Sequence, residues 1–154
     1  MDNVAIRDGT LKDAWHVANN LRQGDIDELN AYQLNVRPAI LVIEGFKESA
    51  WCRVATINDE AALIYGVTPT NIEGEGVIWM LSTDKIMQFS RQFVRGCMNE
   101  VDAMQTIYHK KLFNYVHKNN IVAKNWLKWL GFSINEAEHC VLGFQYFERG
   151  TKHV

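Results

Sequence analysis

An α/β fold, a single domain over residues 1–154 whose mixed, mostly antiparallel central sheet is flanked by helices, follows from three features of this sequence. The chain has 154 residues, enough for one compact domain with one core. Short β-branched and aromatic runs occur at its start, middle and end, and amphipathic helical patterns separate them. A helical pattern also lies between the apolar runs at 76–82 and 112–116, so those two strands must run parallel if they are neighbours.

The elements follow in order. NVAIR (3–7) reads as a short strand, broken by Asp8 and Gly9. Thr10 followed by Asp13 is an acidic form of the capping box, and Leu11, Ala14, Trp15, Ala18 and Leu21 keep helical spacing, predicting a helix over 11–22. Gly24 stops it; Asp25 caps a second helix to about Tyr32, with Ile26, Leu29 and Tyr32 inward. Pro38 opens a segment over 38–49, which periodicity leaves between helix and buried strand; helix is the preferred reading. WCRVATI (51–57) and AALIYGV (61–67) form a hairpin across Asn58-Asp59-Glu60, and GVIWMLS (76–82) is a buried central strand.

Ser82-Thr83-Asp84 and Ser90 are both capping sequences. The apolar stripe Phe93, Val94, Cys97, Met98, Val101, Met104 and Ile107 predicts one main helix from about 91 to 107. LFNYV (112–116) is a strand. Asn119 or Asn120 caps a helix to Leu130, with Ile121, Val122, Trp126, Leu127 and Leu130 inward and Gly131 in the left-handed position after its end. FSINEAE (132–138) and CVLGFQYFE (140–148) close the chain as two strands joined near Glu138-His139.

Composition excludes several function classes. A formal charge of −2 and the absence of a long basic run give no electrostatic case for nucleic-acid binding. The longest apolar runs, such as AILVI (39–43), are far too short for a membrane span, and MDNVAIRDG does not read as a secretory leader. Cys52, Cys97 and Cys140 are odd in number and widely spaced, which predicts reduced, partly buried thiols rather than a disulfide or zinc framework. The five histidines show no metal-ligand spacing, so no metal is expected. Trp126 and Trp129 lie about 300° apart on one helix, so either one of them is partly exposed or both tuck under the C-terminal strands.

The element order resembles the Gcn5-related N-acetyltransferase (GNAT) fold, and NNIVAKNWLKWLGF carries the local likeness, with Asn120 opening a short helix that ends in Leu130-Gly131-Phe132. Three stretches, VAIRDGTLKD, WMLSTDKIMQFS and LFNYVHKNN…WLKWLGF with the tail GFQYFERG, are together similar to the gene-13 internal virion protein family of T7-like podoviruses. That resemblance implies a GNAT-like phage protein of virion structure or assembly. Its partners would be other virion or assembly proteins, and its location the host cytoplasm and the virion interior.

The acetyltransferase resemblance also implies two chemical parts. The first is a pyrophosphate cradle between the fourth strand and the next helix, with the pattern Arg/Gln-x-x-Gly-x-Gly/Ala. There, small residues let backbone N–H groups approach the anion. Here the region reads STDKIMQFSRQFVRGCMNE. Aligning Gln92-Phe93-Val94-Arg95 with the pattern puts Arg95 at the first glycine, leaves Gly96 as the only glycine, and crowds the segment with Phe93, Val94 and Met98. If an acyl-CoA binds, the expected residues are Lys85, Arg91, Gln92, Arg95, Gly96 and Asn120. The competing reading is that these charges are solvated side chains on a helix face.

The second part is a general acid for the leaving thiolate, a Tyr four residues before the helix-ending glycine. This sequence has Leu127 there, which has no proton to give. Glu44, Glu60, Glu73, Glu75, His117 and His139 are formal candidates for a base, and no spacing singles one out. No catalytic residue is therefore assigned. The expectation is a non-catalytic protein with no cofactor, acting through protein contacts. An active acetyl-CoA-dependent N-acetyltransferase, acting on a protein or a small amine, is the alternative.

Overall fold

The computed structural model describes residues 2–136 and 141–150. It divides into two compact units, Met1–Thr68 with Trp79–Gln88, and Pro69–Ile78 with Phe89–Val154. One seven-stranded sheet, in the order β1-β2-β3-β4-β5-β7-β6, takes strands from both. The fold is α/β with a mixed sheet flanked by helices, as the sequence predicts.

The first unit holds β1 (Val4–Asp8), α1 (Leu11–Asn19), α2 (Gln23–Tyr32), α3 (Pro38–Glu48), β2 (Trp51–Ile57), β3 (Glu60–Pro69) and the end of β4 (Glu75–Ser82). Thr10 and Asp13 close the predicted capping box, and Arg7 grips Asp13 through both carboxylate oxygens, at 2.6 and 2.9 Å. Those bonds from Arg7, with the backbone and hydroxyl of Thr10, hold the Asp13 carboxyl down at about 2. Asn58 and Asp59 both adopt positive φ, the geometry a two-residue hairpin needs, and join β2 to β3. The core gathers Ala14, Val17 and Ala18 of α1, Val42 and Ile43 of α3, and Val54, Ala61, Ile64 and Leu81 of the strands. Each large aliphatic side chain buried there contributes about 1.5–3 kcal/mol.

Several boundaries differ from the sequence reading. Leu11, Trp15 and Tyr32 are exposed, because Ala14, Val17 and Ala18 supply the inward stripe of α1 and the end of α2 turns to solvent. α2 begins two residues before Asp25, so that residue does not cap it. Its carboxylate is instead buried, accepting from the Ser82 backbone N–H at 2.9 Å and from Arg22 at 3.1 Å. Segment 38–49 is a helix, as preferred; an added Cβ at Gly45 would meet nothing, so the glycine costs it propensity but no packing.

The second unit contains the start of β4, α4 (Arg91–Gly96), α5 (Met98–Ile107), β5 (Lys111–His117), α6 (Ile121–Trp129), β6 (Ser133–Ile134) and β7 (Phe144–Gly150). β4 and β5 pair in parallel over 75–77 with 111–113, and the Asn114 amide then donates to the Ile78 carbonyl at 2.9 Å. β5 and β7 pair antiparallel along their whole length.

The predicted main helix over 91–107 is two helices. The Cys97 N–H is shared between the carbonyls of Phe93 and Val94, which tightens the chain after Gly96 before α5 begins. The strand expected over 132–138 is reduced to Ser133–Ile134, and the last strand starts at Phe144 because Leu142 and Gly143 sit at positive φ. The turn expected near Glu138-His139, and Cys140, lie outside the described residues. Gly131 has φ +90°, the left-handed residue predicted after α6. Among the described residues no helix is long and apolar enough to cross a membrane.

Candidate functional site

Four of the six candidate binding residues share α4. Ser90 is its N-cap; its hydroxyl accepts from the Phe93 N–H at 3.1 Å, and its carbonyl accepts from the Val94 N–H at 3.1 Å. Helix geometry leaves only the N–H groups of Arg91 and Gln92 as spare donors in the first turn. Arg91, Gln92, Arg95 and Gly96 are all exposed, and an added Cβ at Gly96 would meet no protein atom within 4 Å. Val94 turns into the core.

An aromatic column occupies the side of α4 next to α6. Phe93 stacks on Phe89 at 4.5 Å, and Phe89 meets Trp126 edge-on at 6.0 Å. Three rings therefore gather beside α4, where small residues would leave open space. Of the two readings for the α6 tryptophans, the first holds: Trp126 is buried and Trp129 exposed, and the Arg91 guanidinium lies 5.5 Å from the Trp129 ring centroid.

Asn120 sits at the N-cap of α6 and is buried, but its side chain makes no capping bond. Its backbone starts the helix through the Lys124 N–H at 3.0 Å. Leu127, at the position of the missing acid, is 6% exposed and belongs to the core with Ala123, Trp126 and Leu130. Ile121, expected inward, is exposed. Lys124 and Lys128 both pair with Glu136, at 2.8 and 3.2 Å.

Lys85 belongs to the other unit, in a 3-10 turn over Asp84–Gln88 that Thr83 caps by accepting the Lys85 N–H. Its ammonium is engaged by Glu60, which also bonds His16 at 3.1 Å. Lys85 is therefore a partner for a carboxylate in its own unit.

The formal base candidates fare no better. The hydrogen bond from Lys85 holds the Glu60 carboxyl below the usual range, the opposite of what a base working near neutrality needs. Glu75 pairs with Lys111 at 3.3 Å. His117 accepts the Asn119 N–H at 3.2 Å through Nδ1 and meets Phe144 edge-on, which suits a strand-end residue fixing a turn. Glu44 and Glu73 are exposed, and His139 lies outside the described residues.

A depression of about 220 Å³ in the first unit is lined by Lys12, Asp13, His16, Asn58, Asp59, Glu60 and Ala61. Asp13 and Glu60 within it are already held by Arg7 and Lys85. Sequence reasoning missed two polar groupings. One is the buried Arg22–Asp25–Ser82 cluster, whose only sequence signal is an i,i+3 Arg/Asp pair. The other runs along β5 and β7: Lys111 donates to the Tyr146 hydroxyl at 3.1 Å, and that hydroxyl donates to Glu148 at 2.8 Å.

Comparison with known proteins places this geometry. No protein-family model matches the chain, and no curated protein matches it. Solved structures do. Aminoglycoside acetyltransferase AAC(6′)-Ib, solved with ribostamycin and coenzyme A, superposes with a TM-score of 0.66 at 15% identity, over 96% of this chain and 93% of that one. A GNAT-family acetyltransferase from Streptococcus pneumoniae matches at 0.60 and 14%, over 97% and 100% of the two chains. The ribosomal-protein-S5-alanine acetyltransferase from Vibrio fischeri matches at 0.58 and 14%, over 96% and 93%. At such identities the likeness is one of fold: the chain has the GNAT acetyltransferase fold along nearly its whole length.

Proposed function

We propose that this chain is a binding protein built on the acetyltransferase fold, without the transfer reaction. The buried Leu127 carries this reading. It stands where the resemblance asks for a phenol, and it is part of the core rather than beside an open site. The ring column of Phe89, Phe93 and Trp126 beside α4 supports it further. The finer role, virion structure or assembly in a tailed phage through contacts with other phage proteins, rests on the sequence resemblance alone.

A second reading has its own support. AAC(6′)-Ib was solved with coenzyme A, and its fold matches nearly the whole of this chain. Under that reading Arg91, Gln92, Arg95, Gly96 and Asn120, with Lys85, bind acetyl-CoA, and the chain is an N-acetyltransferase using some other proton donor.

Titration of the full chain with acetyl-CoA during thermal unfolding separates the two. Ligand at a hundred times its Kd adds about 2.7 kcal/mol to stability. The expected result is no shift at millimolar acetyl-CoA. A clear upward shift that disappears in Arg91→Ala would overturn the proposal and favour the enzyme. For the virion role, mass spectrometry of purified particles of the encoding phage is expected to find the chain. Its absence there removes the packaged role.

A further inference from the structure

We propose that the face of the second unit bearing Arg91, Arg95 and Trp129 is a docking surface for an acidic segment of a partner protein. The inference rests on the binding-protein reading above and gives that reading a partner chemistry.

The charges carry it. Arg7, Arg22, Arg53 and Arg149 each hold a carboxylate of their own chain. Arg91 and Arg95 are exposed and, among the described residues, have no carboxylate partner. They stand four positions apart on α4, where like charges share one helix face and repel. Of the carboxylates on neighbouring elements, Arg149 holds Asp102, and Lys124 and Lys128 hold Glu136. Arg37 is likewise exposed and has no carboxylate partner among the described residues, so an unpaired arginine alone marks nothing; Arg91 and Arg95 differ in standing together on one helix beside an exposed tryptophan. Such a pair suits a carboxylate-bearing partner, since a guanidinium presents its donors in a fork that matches a carboxylate.

The aromatic ring completes the surface. Trp129 is 39% exposed and lies under the Arg91 guanidinium at 5.5 Å. Contact with the ring restrains Arg91, and a side chain restrained before a partner arrives loses less freedom on binding. From the same pair of helices, Phe93 stacks on Phe89, which meets the buried Trp126 edge-on. Trp and Arg are the residue types that dominate binding energy at protein interfaces.

The test is fluorescence anisotropy of a short labelled peptide alternating Glu and Phe, with a Gln-for-Glu version as control, against the full chain. The acidic peptide is expected to bind and the Gln version not, with affinity falling as salt rises. Arg91→Ala and Trp129→Ala are each expected to weaken binding by about tenfold, and Arg95→Ala by several-fold. Arg91→Lys keeps the charge but loses the guanidinium fork, and is expected to fall between wild type and Arg91→Ala. Arg37→Ala, an exposed arginine of the other unit, should leave binding unchanged. Circular dichroism of each variant checks its fold.

No binding, equal binding of the Gln peptide, or indifference to the three alanine variants overturns the proposal. If acetyl-CoA displaces the peptide, the surface belongs to nucleotide phosphates; the proposal falls and the enzyme reading gains. If neither peptide nor acetyl-CoA binds, the docking surface falls while the non-catalytic reading stands.

Discussion

Gly24 sits against the side chain two positions earlier. An added Cβ there would lie 2.3 Å from Nη1 of Arg22, whose guanidinium folds back to reach the buried Asp25. Arg22 and Asp25 are both inside, with side chains 10% and 4% exposed. Gly24→Ala displaces the Arg22 guanidinium, and the variant tests whether that tip can shift while keeping its bond to Asp25. If the pair breaks, the cost approaches about 3 kcal/mol for a lost buried partner, and if the tip shifts with the bond kept, alanine gains up to about 1 kcal/mol of helix propensity. Burial of both side chains favours the first outcome, so a lowered urea midpoint is expected; an unchanged or raised midpoint would show that Arg22 keeps Asp25 by another route. The two described cysteines tell a simpler story. Burial pushes the Cys52 and Cys97 thiols up to about 12, so neither is a ready nucleophile at neutral pH.

The elements show what sequence patterns can and cannot reach. The hairpin at Asn58-Asp59, the Thr10 capping box, the parallel β4–β5 pairing and the left-handed Gly131 were legible because each depends on local chemistry or on one topological rule. The break between α4 and α5 was not. Val94, Cys97, Val101 and Met104 stay buried on both sides of it, so the apolar stripe runs through without a change of face. For the candidate site, the sequence gathered Arg91, Gln92, Arg95 and Gly96 correctly onto one helix. It could not see that Lys85 is taken by Glu60, because that pair is set by tertiary contact. Gly96 lets this element be tested. Its φ is not positive and a Cβ there meets open space, so Gly96→Ala should stabilise the chain by about 0.5–1 kcal/mol. Under the binding-protein reading the variant also keeps its affinity for the acidic peptide. A glycine retained for close approach of a phosphate would instead lose acetyl-CoA binding on gaining a methyl group.

Across the whole molecule, ion pairs set the response to acid. Asp13, Glu60 and Glu136 all have carboxyls lowered by basic partners, chiefly Arg7, Lys85 and Lys124. A carboxyl lowered in the fold stabilises it above its unfolded value, and that contribution is lost as pH falls through the folded value. The three contributions differ in size. Glu60 and Glu136 lie at the surface, where water and salt screen them, and their share is small. Asp13 is buried and doubly bonded to Arg7; titrating at about 2 against an ordinary value of 3.8 corresponds to about 2 kcal/mol. Unfolding free energy measured in urea should therefore hold steady from neutrality to about pH 4, then fall by about 2 kcal/mol towards pH 2 on account of Asp13. Asp13→Asn should cost a similar amount at neutral pH and flatten the acid limb. High salt should leave most of that limb in place, since the pair is partly shielded from solvent. An acid limb that vanishes in salt, or that survives Asp13→Asn unchanged, would place the sensitivity on the surface pairs instead.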